Sequence, residues 1–475
     1  MRVVRNYLYN AGYQVLAIIL PLITTPYISR TIGADGVGIN AYTGSLLTYF
    51  SLLASIGIGY YGNREIAYVR EDKKKLAQTF WEIQVIKTIT TLVAVGCFAI
   101  FVWSYGRYTT YLWLQSLNLI AVAFDVSWLY MGVEDFKRTV IRNTVVKIIS
   151  VIATFVFVKD ANDVGVYITI LGLGSLLGNM ILWPHLSKML VKVELKKLRP
   201  LKHLKPTVTL FIPQIATQIY LQLNKTMLGV MIGTTASGFY QSSDNLVKIV
   251  LAIVTATGTV MLPHVSNAFA GGNHEKVNNL LYKSFDFVSA IAFPMSFGLA
   301  AISLKFAPIF YGKGFTPVGG AMMIESIVIL FIGWSNVIGV QYLLPTNKDR
   351  SFSTSVIIGA VVNIVLNLPM IYLWGLNGAM IATVLSELAV TGYQVYVIRK
   401  LVSYRKLFMN TWKYLLASVV MFGIVFYMDD MSPNTLIMVI LEILLGIVVY
   451  TLVVFILRPT SVDDVLKILK KRVQK

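Results

Sequence analysis

At 475 residues, 56% hydrophobic and only 13% charged, the chain lies outside the soluble globular class, in which about a quarter of residues are charged. A net charge of +19 would suit nucleic acid, but the cations sit in connections between apolar runs, which makes them a topology signal and excludes that partner. The single Cys97 excludes a disulfide framework, and His185, His203, His264 and His274 show no ligand spacing, so no metal site or cofactor is expected.

Apolar runs of about 20 residues recur from end to end, the length a helix needs to cross a ~30 Å hydrocarbon core. Their continuity, against the short alternation of a barrel, predicts an all-α polytopic membrane protein. Fourteen spans are expected, near residues 7–28, 39–60, 80–103, 111–131, 140–158, 165–184, 207–230, 238–262, 281–304, 318–341, 352–373, 377–398, 410–428 and 434–456. With that count, the connections on one side hold only Arg30, Arg107, Lys159, Lys305 and Lys313, and most other Lys and Arg fall on the opposite side. That asymmetry places both termini in the cytoplasm. The first run is long and followed by another, so it is expected to stay as a helix and not to be cleaved.

In chain order, the first span carries a polar stripe, Asn6, Asn10 and Gln14, and Pro21 and Pro26 predict a bend in it. It leads through Arg30 into a Gly-rich outer turn. A basic loop, Arg64 to Lys75, precedes the third span, where Gln84, Lys87, Thr88 and Thr91 share one face. The fourth span ends in DVSWLYMGVEDFKR, Asp125 to Arg138, and the fifth aligns Asn143, Lys147, Ser150 and Thr154. Lys188 to Pro206 is the most basic connection and reads as a linker along the cytoplasmic surface. The seventh span steps through Gln214, Gln218 and Gln222 to Lys225, and the eighth holds Asp244 and Lys248. Past Arg458 the tail reads as an amphipathic helix capped by Ser461.

The two halves resemble each other. Ile32, Gly33 and Gly38 recur 200 residues later as Ile232, Gly233 and Gly238. Six spans per repeat makes the repeats parallel, related by an axis along the membrane normal. The expected organisation is an N-lobe over 1–185, a basic linker over 186–206, a C-lobe over 207–400, two extra spans over 401–457 and a tail over 458–475.

Ionisable groups at membrane depth are costly and mark polar cavities more often than lipid faces, although a snorkelling side chain or a local ion pair is the bland reading of any one of them. At ~1.5 Å per residue, Lys87, Lys147 and Asp125 lie in the inner third, Lys225, Asp244 and Glu325 in the outer third, and Lys248 and Glu387 near the midplane. Asp244 and Lys248 are four apart and suited to neutralise each other. Glu387 shares a face with Thr383 and Thr391. With no nucleophile–base arrangement, phosphate loop or paired carboxylates, no enzyme is expected and transport is.

Four segments resemble bacterial polysaccharide repeat-unit flippases of the Wzx type, within the multidrug/oligosaccharidyl-lipid/polysaccharide exporter superfamily. They are DVSWLYMGVEDFKR, MLPHVSNAFAGGNHEKV (Met261 to Val277), GVQYLLPTNKDR (Gly339 to Arg350) and VVNIVLNLPMIYLWGLNGAMIATVLSE (Val361 to Glu387), with its paired Asn residues and G-x-x-G-A. The resemblance implies a flippase in the bacterial plasma membrane that moves undecaprenyl-pyrophosphate-linked oligosaccharide outward by alternating access, coupled to a proton or sodium gradient. It implies membrane lipids, a polysaccharide polymerase and glycosyltransferases as partners. Arg30, Lys87, Lys147, Lys225 and Lys248 are then expected to line a cationic path for pyrophosphate and anionic sugar, with Asp244 and Glu387 balancing charge or coupling an ion. One departure is that Asn224 stands before Lys225 where the family commonly has Asp, which weakens ion coupling there. A lipid II or teichoic-acid-precursor flippase, a cation-coupled drug antiporter and a non-transporting scaffold for glycan synthases are the alternatives.

Overall fold

Each of the fourteen expected spans falls on helix in the computed structural model, which describes residues 2–460. Among these residues no strand occurs. The tail at 461–475, and the side chains of Asn6, Asn10, Gln14 and Gln214, lie outside the described residues. Nine helices among the described residues are long and apolar enough to cross a membrane, or ten if a bent pair counts as one span. Two of the nine are each a pair of spans joined at a glycine, and the helices of the seventh and eighth expected spans, α9 and α10, are not among the nine.

The contacts divide the chain into two units that meet between Gly238 and Phe239. The first contains α1 (Arg2–Ser55), α2 (Ile58–Val69), α3 (Lys73–Tyr105), α4 (Thr109–Phe124), α5 (Ser127–Gly132), α6 (Phe136–Phe157), α7 (Val164–Met180), the short α8 (Leu186–Met189) and α9 (Leu204–Met231). In it α1 packs on α3, α4, α6 and α9, and α4 lies along α7. The boundary falls inside α10 (Thr234–Thr255). The second unit continues with α11 (Thr257–Ala270), α12 (His274–Tyr311), α13 (Thr316–Glu325), α14 (Val328–Ser335), a π-helix (Asn336–Leu343), α15 (Asp349–Ile398), α16 (Tyr404–Leu407), α17 (Thr411–Met431) and α18 (Leu436–Leu457). There α12 is central, packed on α13, α14, α17 and α18.

The Gly-rich outer turn expected after Arg30 is a break in α1. Helix α1 runs through Pro21 and Pro26 and breaks at Gly33, whose φ of 70° is open to a residue without Cβ. Gly375 breaks α15 in the same way, at φ 55°. The repeated glycines of the two halves have a spatial meaning. Gly233 also has a positive φ, 133°. A Cβ on Gly38 would lie 2.1 Å from the Thr234 carbonyl oxygen, and one on Gly238 would lie 2.9 Å from that of Ala34. The outer turns of α1 and α9 are therefore in backbone contact at equivalent positions. Asp35 Oδ1 accepts hydrogen bonds from the Thr234 and Thr235 hydroxyls, both at 3.2 Å. Deeper along the seam Thr226 meets Ser45 at 2.9 Å and Tyr49 at 3.0 Å.

The DVSWLYMGVEDFKR segment earns its composition locally. Asp125 accepts from the backbone N–H and hydroxyl of Ser127, at 3.0 and 2.6 Å, in the turn between α4 and α5. Trp128 is fully buried and stacks on Phe80, while the Tyr130 hydroxyl donates to the Leu182 carbonyl at 2.7 Å. Glu134 turns the chain at φ 60° and pairs with Arg70 at 2.6 Å. The paired Asn residues of α15 are both fully buried, with Asn367 donating to Asn363 Oδ1 at 2.8 Å.

At the N-terminus of α3, Asp72 caps the Lys74 and Lys75 amides at 3.0 and 3.1 Å. Those hydrogen bonds from the Lys75 and Lys74 amides hold its carboxyl below the usual carboxylate range.

Candidate functional site: a polar cavity and intramembrane charges

In the first unit, the end of α1, the start of α2, and parts of α3, α4 and α7 line an open cavity of about 430 Å³ with a mixed wall, its apolar part including Leu52, Ile58, Ala121 and Val122. Its walls hold Thr48, Ser51 and Ser55 from α1, Asn118 from α4, and Ser175 and Asn179 from α7. Lys87 and Asp125 are its charged residues. Lys87 is 3% exposed and lies 3.6 Å from Asp125 Oδ2, while also donating to the Asp125 carbonyl. The two residues placed at the same depth from sequence thus form one ion pair. Asp125 is only partly buried, so this pair borders the cavity and is not sealed in the core.

A double-mutant cycle tests the pair. Lys87→Ala and Asp125→Ala should each destabilise the purified protein, and the double variant should lose less than their sum by about 1–2 kcal/mol. Thermal melting in detergent gives the readout, and strict additivity would show that the pair carries no coupling.

The other expected site residues are distributed as follows. Arg30 is exposed near the Gly33 break, and Lys147 and Lys225 are partly buried on α6 and α9; none of the three lines this cavity. In the second unit Lys248 donates to Asp244 Oδ2 at 2.7 Å, the i,i+4 pairing expected from spacing. Asp244 is buried and Lys248 half-exposed. Beside Asp244, the Ser243 hydroxyl donates to the buried Glu325 at 2.5 Å, bringing α10 and α13 together. Glu387 is buried on α15, and its neighbour Thr391 donates to the Phe331 carbonyl at 2.9 Å. Among the described residues no group of three or more His, Cys, Asp or Glu side chains is placed to hold a metal ion.

Three polar clusters were not predicted. Glu82 on α3 is completely buried and accepts from Gln78, the Arg199 backbone, Lys202 and His203, at 2.9, 2.9, 2.6 and 3.0 Å. His203 in turn bonds the Tyr61 hydroxyl at 2.7 Å. This ties the basic linker to α2 and α3. Arg142 on α6 donates to Asn179, whose amide also donates to the Ala121 carbonyl at 2.8 Å. Asp429 and Glu442 are both buried on α17 and α18, and the Ser432 hydroxyl donates to Glu442 at 2.6 Å. A sequence signal existed for the first: the notable feature of Glu82 is an acid in a segment otherwise rich in Lys and apolar residues.

Helices of spanning length with ionised residues on cavity-facing sides define a multi-pass membrane protein, and the fold is that of known transporters. The lipid II flippase MurJ in an inward closed conformation superposes with a TM-score of 0.74, covering 96% of this chain and 98% of that one at 15% identity. An inward-facing multidrug resistance MATE family transporter of the MOP superfamily gives 0.58 over 81% of this chain and 98% of that one, also at 15% identity. The putative O-antigen transporter of Escherichia coli (strain K12) is 24% identical over 400 residues, 83% of this chain and 96% of that one. Residues 3–269 match the family described as polysaccharide biosynthesis protein, and the chain belongs to that family.

Proposed function

We propose that the protein is a flippase that carries undecaprenyl-pyrophosphate-linked oligosaccharide repeat units across the bacterial plasma membrane by alternating access. The observation that carries this reading is the cavity bordered by an ion pair among helices of spanning length, in a chain of the polysaccharide biosynthesis family. A scaffold has no need of such a cavity, whose desolvated charges are costly. The similarity to a putative O-antigen transporter along most of both chains supports the same cargo class. The likeness to the lipid II flippase supports the fold, and a non-enzymatic mode of action follows from the transport reading.

In this proposal Arg30, Lys147, Lys225 and Lys248 serve the anionic parts of the cargo, Lys87 is held by Asp125 in the cavity wall, and Asp244 and Glu387 balance charge or couple a proton or sodium gradient. The positive-inside asymmetry supports cytoplasmic termini, with the basic linker on the same side. A polymerase and glycosyltransferases would work on the same lipid-linked intermediate.

Depletion in the native host should cause the lipid-linked repeat unit to accumulate on the cytoplasmic face. Accumulation of lipid II in its place would assign the other flippase activity. Lys225→Ala and Lys248→Ala should each reduce surface glycan severalfold while the protein remains in the membrane, and unchanged glycan in both variants would remove these residues from the path.

A further inference from the structure

We propose that the cavity between α1, α3, α4 and α7 seats sugar rings of the cargo and that its pyrophosphate lies elsewhere. The inference rests on the flippase reading and assigns one part of the cargo to one part of the protein.

Charge is the first argument. Lys87 and Asp125 are the cavity's charged residues, and they face each other at 3.6 Å, so the wall carries no net charge. A pyrophosphate entering it would meet the Asp125 carboxylate and find the Lys87 ammonium already engaged with both the carboxylate and the carbonyl of Asp125. Phosphate oxygens accept hydrogen bonds and repel a carboxylate. Sugar hydroxyls both donate and accept, and a carboxylate beside an ammonium suits them well.

The neutral groups make the same distinction. The hydroxyls of Ser51 and Ser175 have no hydrogen-bond partner among the described residues, and both line the space. Asn118, which also lines the space, gives one amide hydrogen to Gln115 at 3.1 Å and keeps a second amide hydrogen and a carboxamide oxygen for further hydrogen bonds. Tyr60 lines the opening with its ring 71% exposed, offering a flat apolar face of the kind on which the C–H face of a sugar packs. Hydroxyls, the Asn118 carboxamide, one carboxylate and an aromatic rim form a carbohydrate-binding set. The volume of about 430 Å³ holds one or two sugar rings and lies within the ordinary range for small-molecule sites. Position agrees as well: the cavity lies where α2 and α5 begin, next in sequence to the basic loops expected in the cytoplasm, where the glycan is built.

The test uses the full-length protein in lipid nanodiscs with two probes, undecaprenyl-pyrophosphate carrying the repeat-unit oligosaccharide and undecaprenyl pyrophosphate without sugar. Tyr60→Ala and Ser175→Ala change exposed side chains and should leave the melting temperature unmoved, while Asn118→Ala is a third variant judged only if its melting is also unmoved. Each is expected to weaken binding of the glycan-bearing lipid about three- to tenfold and to leave the sugar-free lipid unchanged. Equal weakening of both lipids, or no change in either for Tyr60→Ala and Ser175→Ala, overturns the sugar assignment while leaving the flippase reading intact. If the unaltered protein binds neither lipid, the flippase reading fails first and takes the assignment with it.

Discussion

Alanine at Gly38 is expected to be among the most damaging single-methyl additions in the protein. Its Cβ would fall 2.1 Å from the Thr234 oxygen, 2.5 Å from the Thr234 carbonyl carbon and 2.9 Å from the Thr235 nitrogen. These are backbone atoms, so no rotamer change relieves the clash. The turn after α9 must move, and with it the Asp35 contacts to Thr234 and Thr235. Overpacking ordinarily costs about 1–3 kcal/mol, and a clash against main chain belongs at or beyond the top of that range. Gly238→Ala should behave alike, since its Cβ would lie 2.7 Å from the Gly38 nitrogen. Gly96→Ala is the control: nothing lies within 4 Å of its added Cβ, and in the middle of α3 it should stabilise by about 0.5–1 kcal/mol. Thermal melting of the three purified variants decides the matter. Gly38→Ala melting with the unaltered protein would mean that the two turns are not in contact.

The second large effect is expected at Glu82. Its carboxylate is 0% exposed and holds the linker by three separate groups, the Arg199 amide, Lys202 and His203. Lys202 is half-exposed, so its share is discounted for solvent screening. His203 and the Arg199 amide have no such escape, because the imidazole is buried between Glu82 and Tyr61. Glu82→Ala should therefore destabilise the first unit by on the order of 3 kcal/mol. Hydrogen exchange should rise specifically over residues 199–207, where the linker enters α9. Lys202→Ala should cost less than 1 kcal/mol. Similar losses for both variants would show that the exposed ion pair, and not the buried histidine contact, fastens the linker.

Much of the architecture was legible because the bilayer imposes a length and a polarity that any sequence must satisfy. Apolar runs near 20 residues gave the helices, and rise per residue put Lys87 and Asp125 at one depth, where they prove to be 3.6 Å apart. The i,i+4 pair Asp244–Lys248 was equally plain, since both partners belong to one helix. Partners distant in sequence were not. Nothing local connects Glu82 with His203, or Asp429 with Glu442, because each pairing depends on how separate helices pack. The break of α1 at Gly33 falls on the Gly-rich outer turn that the sequence shows after Arg30. Proline removes one hydrogen bond, which a long helix tolerates, whereas only a residue such as Gly33 takes the positive φ that ends the α-helical run. The recurrence of Gly33 and Gly38 at Gly233 and Gly238 was visible as a pattern, but the reason for it was a contact.

That contact has a property of its own. Gly38 approaches Thr234, and Gly238 approaches Ala34, so position 38 meets 234 just as 238 meets 34. Reciprocal contacts of this form are what an isologous interface shows, in which one surface patch is complementary to itself. The two turns are thus related by a local two-fold axis passing between the glycines. A shift of either turn therefore disturbs both contacts at once, because each glycine faces the turn that carries the other.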